Sequence, residues 1–164
     1  MKQNNDPQWI EDFDVMMNIP LSHAHYHSRY IINGFRFRVQ SVDDMKAKQH
    51  SGVIVKCDRI QSGCDGYYGK IKEIVEVSYS HDCRVVLFRC DWFDIFNSRY
   101  GVKVDKETGF ISLNKDCTIL QASEPFTLAC QVEQVFYVPD NSRNGWIVPI
   151  RTMPCDYYDI EHDK

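Results

Sequence analysis

The stretch that decides the fold is YYGKIKEIVEVSYSHDCRVVLFRCDWFDIF, residues 67–96. It contains two runs rich in β-branched and aromatic residues, and a short polar segment, 80–83, separates them. Such runs favour strands, and four polar residues are enough for a hairpin turn. Glu73 and Ile74 interrupt the alternation of apolar and polar residues in the first run, which indicates a bulge. The sequence therefore predicts a long, bent hairpin.

Residue parity predicts which side chains of this hairpin face the core, because alternate residues of a strand point to opposite faces. The predicted inward face consists of Ile71, Val75, Val77, Val86, Phe88 and Cys90.

An aromatic and acidic set remains at the open end of the hairpin, where the two strands would bring its members together. The set is Tyr67, Tyr68, Trp92 and Asp94. Aromatic rings beside a carboxylate form cages for quaternary ammonium groups such as methyl-lysine. The alternative is that Trp92 and Tyr68 only close one end of the core.

Short strands separated by turns follow one another along the rest of the chain. We predict two strands or one bent strand within 30–39, with a tight turn at Asn33-Gly34. Further strands are predicted at 53–58, 101–113 (a second hairpin), 135–138 and 146–151. A helical turn or two is expected within 125–134, and either a short helix or a partly ordered tail within 1–20. Crossover helices for a parallel sheet are missing from this pattern.

The predicted fold class is mainly β: a small bent β-barrel with one short helix and flexible acidic termini. The expected organisation is an N-terminal extension over 1–27, the barrel domain over 28–152 and an acidic tail over 153–164.

The formal net charge of −4 is unevenly distributed, because acidic ends flank a basic segment over 21–59. The candidate phosphate contacts in and beside this segment are Arg29, Arg36, Arg38, Lys46, Lys48 and Lys56. Duplex DNA binding usually requires more positive charge than this. The segment is therefore compatible with weak nucleic-acid contact without requiring it.

The seven cysteines have no CxxC spacing, and the polar, acidic N-terminus does not resemble a secretion signal. Reduced core cysteines of a cytosolic or nuclear protein are the expected state. No run of 18 apolar residues is present, so we expect no membrane span.

Metal and catalytic chemistry have only weak candidates. His23, His25 and His27 would share one face of a strand, as metal ligands can, but their segment is predicted to be an exposed polar linker. Cys90 is the best candidate nucleophile, yet its parity places it inward. We expect no metal, no cofactor and no enzymatic activity.

Several segments resemble a plant domain of unknown function, numbered forty-two sixteen, which accompanies transposases of CACTA (En/Spm) transposons. The segments are YIINGFRF (30–37), SGVIVK (51–56), YYGKIKEIVEVSY (67–79), VVLFRCDWFD (85–94), GVKVD (101–105) and PFTLACQVEQVFYVPD (125–140). The resemblance covers about residues 28–152. It implies a plant, transposon-derived, nuclear protein but no particular activity.

A weaker resemblance is to bromo-adjacent homology (BAH) domains, which are bent β-barrels of chromatin proteins. It rests on YYGKI (67–71) and DWFD (91–94). The resemblance implies that the methyl-lysine cage of BAH readers maps to Tyr67 or Tyr68, Trp92 and Asp94. Asp94 is an acid where the family pattern has a third aromatic residue.

The leading functional hypothesis is a non-catalytic interaction module that docks on a histone tail or another nuclear protein through the aromatic and acidic set. The first alternative is a DNA-binding accessory domain of a transposase that uses the basic residues. The second is a structural or oligomerisation domain with exposed strand edges.

Overall fold

The computed structural model describes residues 23–154 except 59, 61, 80–82 and 120–123. The helix or tail predicted within 1–20, most of the predicted turn at 80–83 and most of the acidic tail lie outside the described residues.

Eleven strands in the described residues make the protein mainly β, as predicted. Nine of them form one antiparallel sheet, and the other two form a separate hairpin. Their bounds are β1 His23–His27, β2 Arg29–Ile32, β3 Phe35–Arg38, β4 Gly52–Lys56, β5 Gly66–Tyr79, β6 Cys83–Trp92, β7 Val102–Val104, β8 Ile111–Asn114, β9 Phe126–Leu128, β10 Glu133–Pro139 and β11 Trp146–Arg151.

The sheet is open, so the predicted barrel does not close within the described residues. The strand order is β7-β8-β11-β10-β4-β5-β6-β9, and the two end strands do not pair with each other. Both end strands have only three residues, and short edge strands are a common way of ending a sheet without inviting further pairing.

The long β5–β6 hairpin and its bulge are confirmed. Ile71 pairs with Cys90 but Glu73 pairs with Arg89, so Lys72 is an extra residue in β5. One extra residue in β5 turns every later side chain of that strand to the opposite face of the sheet.

This reversal corrects the predicted inward face. Beyond the bulge, Ile74 is the residue paired with Phe88 and shares the face of Ile71. Val75 and Val77 lie on the opposite face, so their predicted placement with Ile71 is wrong, although both are buried there.

A carboxylate–guanidinium pair spans the bulge. Glu73 accepts hydrogen bonds from Arg89 Nε and Nη2 at 2.8 and 2.9 Å. The hydrogen bond from Arg89 lowers the pKa of Glu73. A carboxyl group whose folded-state pKa is lowered stabilises the protein above its unfolded-state pKa, and this contribution disappears as the pH falls through the folded-state pKa.

We expect Glu73→Gln to lower the free energy of unfolding at neutral pH by less than about 1 kcal/mol, because both side chains are more than a third exposed. The difference should shrink as the pH falls through the folded-state pKa of Glu73, because the protonated carboxyl no longer forms the ion pair. Urea denaturation over a series of falling pH values checks this, with exposed Glu107→Gln as control. A difference that persisted unchanged in acid would contradict the ion-pair explanation.

The β2–β3 hairpin has the predicted turn. Asn33 and Gly34 both have positive φ, 52° and 78°, as a type I′ turn requires. Its inner residues Phe35 and Phe37 are buried, and the Phe37 ring lies 4.9 Å from that of Phe88. This contact joins the hairpin to one face of the large sheet.

Two apolar clusters lie on opposite faces of the sheet. The first, beneath the β2–β3 hairpin, is Phe35, Phe37, Val39, Val53, Ile71, Ile74, Phe88, Cys90, Trp92, Ala129 and Val132. The second is Ile54, Cys64, Tyr68, Phe93, Ile95, Val102, Ile111, Leu113, Val135 and Tyr137. Consecutive residues of one strand therefore lie in different clusters.

Two short segments differ from expectation. The predicted linker 23–27 is strand β1, which pairs with residues 74–78 of β5. β5 has 14 residues, and β4 pairs only with residues 66–70 of it. The edge of β5 beyond the bulge is therefore open on the side of β4, and β1 pairs there. The helical turn predicted within 125–134 is confirmed as the 3₁₀ turn Ala129–Gln131, which follows β9. The α-helix of the described residues, α1, lies at Gln40–Asp43, where the sequence predicted none. Neither of the helices in the described ranges is long enough to cross a membrane.

Candidate docking surface

Trp92 is part of the core. It pairs with Gly69 across the hairpin, and its side chain is 7% exposed. A Cβ on Gly69 would lie 2.8 Å from the Trp92 ring, so the glycine makes room for the indole. The indole N–H donates to the carbonyl of Pro125 at 3.3 Å, which gives this buried donor a partner.

Tyr68 points to the opposite face from Trp92. It precedes Gly69, the partner of Trp92, so strand alternation directs its ring into the second cluster, where it is 3% exposed. Its hydroxyl donates to Asp65 Oδ1 at 2.6 Å, and burial raises its pKa. The four predicted cage residues therefore do not surround one space.

Tyr67 and Asp94 are both partly exposed, and each contacts Phe96. The rings of Tyr67 and Phe96 lie 6.0 Å apart, and Phe96 is 63% exposed. Asp94 Oδ1 accepts hydrogen bonds from the backbone N–H groups of Phe96 and Asn97 at 3.0 and 3.2 Å. We call Tyr67, Asp94 and Phe96 the Phe96 surface.

Two successive side-chain turns hold the loop that carries Phe96. Asp94 caps the first, and Asn97 Oδ1 accepts from the N–H groups of Arg99 and Tyr100 in the second. Asp and Asn favour such turns because their short side chains reach the backbone two residues later. The loop therefore presents Phe96 in a fixed conformation, so little conformational entropy is lost when a ligand covers it.

The Phe96 surface combines a carboxylate with two aromatic rings, one of them largely exposed. Ring faces and a carboxylate attract cations, and Lys, Arg and quaternary ammonium groups are the usual ligands. Phe96 was not among the residues predicted from the sequence. The usable signal was the Asp-x-Phe-Asn order at 94–97, in which an Asx turn makes the aromatic residue project from the loop.

The predicted basic residues form no single patch. Arg29, Arg36 and Arg38 lie on one face of the β2–β3 hairpin, but the Arg38 side chain is only 12% exposed. Arg38 lies 3.7 Å from buried Asp43, and Lys56 pairs with Glu133 at the far end of β4. The charges of these last two residues are thus partly neutralised within the domain.

The histidines and Cys90 lie as parity predicts. His23, His25 and His27 share one face of β1, and His27 Nε2 lies 3.8 Å from Glu76. Within the described residues no group of three or more His, Cys, Asp or Glu side chains is placed to hold a metal ion. Cys90 is buried, and burial raises the pKa of its thiol, which disfavours the nucleophilic thiolate.

Residues 75–149 match the model of a family described as Domain of unknown function (DUF4216). The match begins within β5 and ends within β11, so it includes the Phe96 loop but not Tyr67. No curated protein and no solved structure matched the chain. The resemblance to the domain of unknown function forty-two sixteen is therefore confirmed for 75–149, which are similar to that family.

Proposed function

We propose that the protein is a non-catalytic interaction module that docks, through the Phe96 surface, on a cationic segment of a nuclear partner such as a histone tail. The observation that carries this proposal is the exposed Phe96 ring, whose backbone N–H is bonded to Asp94 and which contacts the Tyr67 ring. Rigid exposed aromatics are typical anchors of protein interfaces, and the nearby carboxylate adds preference for a positive ligand.

We also propose the wider setting that the family resemblance implies: a plant protein of CACTA transposon origin, located in the nucleus. The family match over 75–149 supports the resemblance from which this setting is inferred. The long β5–β6 hairpin, which ends at Trp92 and is followed by Phe93, is the feature that supports a BAH-like relation.

The binding proposal is tested with an array of histone-tail peptides that carry unmodified or methylated lysines. We expect Phe96→Ala to weaken binding of the selected peptide about tenfold, because a cation–π contact contributes on the order of 1 kcal/mol or more. Phe110→Ala is the matched control, since Phe110 is also 63% exposed but contributes nothing to the Phe96 surface. Equal affinity of parent and Phe96→Ala, or equal loss in both variants, would reject the proposal.

A second candidate function is DNA binding through the outer face of the β2–β3 hairpin. The observation that favours it is the placement of Arg29 and Arg36 on one face of a two-stranded ribbon. A gel-shift salt series measures how the logarithm of the DNA-binding constant falls with the logarithm of the salt concentration. The steepness of this dependence should decrease by about 1 for each arginine replaced by glutamine, as expected for phosphate contacts. A slope unchanged in Arg29→Gln and Arg36→Gln would remove this candidate.

A third candidate is oligomerisation through a strand edge. The end strand β9 exposes Phe126 and Leu128, and a second copy could extend the sheet there. Light scattering after sizing chromatography tests it: a monomer at high concentration would exclude edge pairing.

A further inference from the structure

A cavity of about 370 Å³ lies at one end of the second cluster, well separated in sequence from the Phe96 loop. Tyr137, Pro139 and Ile147 supply its apolar wall. Three lysines from three different segments also line it: Lys46, Lys70 and Lys115. We call this cavity the lysine pocket.

The fold fixes the backbone of each lysine. Lys70 is in β5, and its Nζ lies 5.8 Å from the centroid of the Tyr137 ring. Lys46 directly follows the turn after α1, where its N–H donates to the carbonyl of Asp43, and Lys115 follows β8, where its N–H donates to that of Gly145.

The loop between α1 and β4 is fastened to β10 beside the pocket. The Gln49 side-chain amide exchanges two hydrogen bonds with the backbone of Tyr137, at 3.0 and 3.1 Å. These two hydrogen bonds resemble those between paired strands. They keep the loop that carries Lys46 close to the strands that carry Lys70 and Tyr137. The pocket is thus formed before any ligand arrives.

Positive charge in the lysine pocket is not neutralised by ion pairs. In the part of the chain that the structure describes, none of the three lysines lies within 4.0 Å of a carboxylate oxygen. Of the two aspartates that line the pocket, Asp43 is already bonded to the N–H groups of His50 and Ser51 and lies beside Arg38. Asp44 is the other lining aspartate, so the three lysines that line the pocket outnumber the carboxylates that remain to balance their charge.

We propose that the lysine pocket binds a phosphate group. Ammonium groups bind phosphate oxygens as compact point charges, and a cavity of this volume accommodates a phosphate ester. The phosphate could belong to a small phosphomonoester or to a nucleic-acid backbone. The lysine pocket and the Phe96 surface have no residue in common, so this site stands independently of peptide docking.

The test is a titration of ¹⁵N-labelled protein with inorganic phosphate, with sodium chloride used to keep the ionic strength constant. We expect saturable amide shifts at Lys70, Lys115 and Tyr137. The double variant Lys70→Gln/Lys115→Gln should bind phosphate at least about tenfold more weakly, because it removes two charge-assisted contacts. Lys72→Gln/Lys103→Gln removes the same charge from outside the pocket, since Lys72 pairs with Asp91 and Lys103 lies over Trp146, and should bind like the parent.

Shifts that do not saturate, or the same weakening in both double variants, would overturn the proposal. The source of the phosphate is separated by repeating the titration with adenosine monophosphate and with a short DNA duplex. If the parent binds one of these two probes and only Lys70→Gln/Lys115→Gln loses that binding, the site is supported and the probe identifies its ligand class. Failure of all three probes to shift the pocket amides contradicts it.

Discussion

Trp92→Ala is expected to lower the free energy of unfolding by about 3–5 kcal/mol, the usual loss when a buried aromatic side chain is truncated. The indole fills the space above Gly69 and packs in the first cluster. Its removal leaves a cavity there and also leaves the Pro125 carbonyl without the indole donor. Urea denaturation monitored by circular dichroism measures the effect.

Phe96→Ala is the control for this prediction, because it truncates an exposed ring four residues further along the chain. Its effect on stability should stay within about 0.5 kcal/mol, as for most surface substitutions. If Trp92→Ala instead proved nearly neutral for stability while abolishing peptide binding, Trp92 would belong to the ligand site and not to the core.

Asp43→Ala is expected to cost about 3 kcal/mol of stability. The Asp43 carboxylate is 4% exposed and accepts hydrogen bonds from the N–H groups of His50, at 2.8 Å to Oδ2, and Ser51, at 2.9 Å. It also faces the guanidinium of Arg38, whose side chain is mostly buried. Truncation leaves two backbone donors without their acceptor and the mostly buried Arg38 without its carboxylate, and such losses cost several kcal/mol in total.

The neighbouring Asp44→Ala provides a matched control, because Asp44 is exposed and accepts no hydrogen bond of this kind in the described residues. We expect it to change stability by less than about 0.5 kcal/mol. Thermal or urea unfolding of the two variants compares them directly. Equal stability of Asp43→Ala and Asp44→Ala would mean that the N–H groups of His50 and Ser51 find other partners.

Local patterns in the sequence were sufficient to predict the elements that depend on local chemistry. The β5–β6 hairpin, the bulge after Ile71, the Asn33-Gly34 turn and the last strand at 146–151 follow from β-forming runs and turn residues. Strand β1 could not be predicted in this way, because its polar HAHYH sequence is ordered by the free edge of a distant strand.

The candidate site was only partly predictable, for a related reason. The sequence places Tyr67, Tyr68, Trp92 and Asp94 at the same end of the hairpin, which is confirmed. Whether they share a face depends on cross-strand register, and the pairing of Gly69 with Trp92 sends Tyr68 to the other side. The exposure of Phe96 depends in turn on the capped loop that follows the strand.

The central claim, that the partner docks at the Phe96 surface, is tested most directly by mapping amide shifts of the labelled protein on addition of a histone-tail peptide bearing trimethylated lysine. We predict that the largest shifts fall on Tyr67 and on residues 94–100, and that Phe96→Ala raises the peptide concentration needed to produce them about tenfold while the fold stays intact. Saturable shifts confined to other surfaces, with the 94–100 amides unmoved, would contradict the claim.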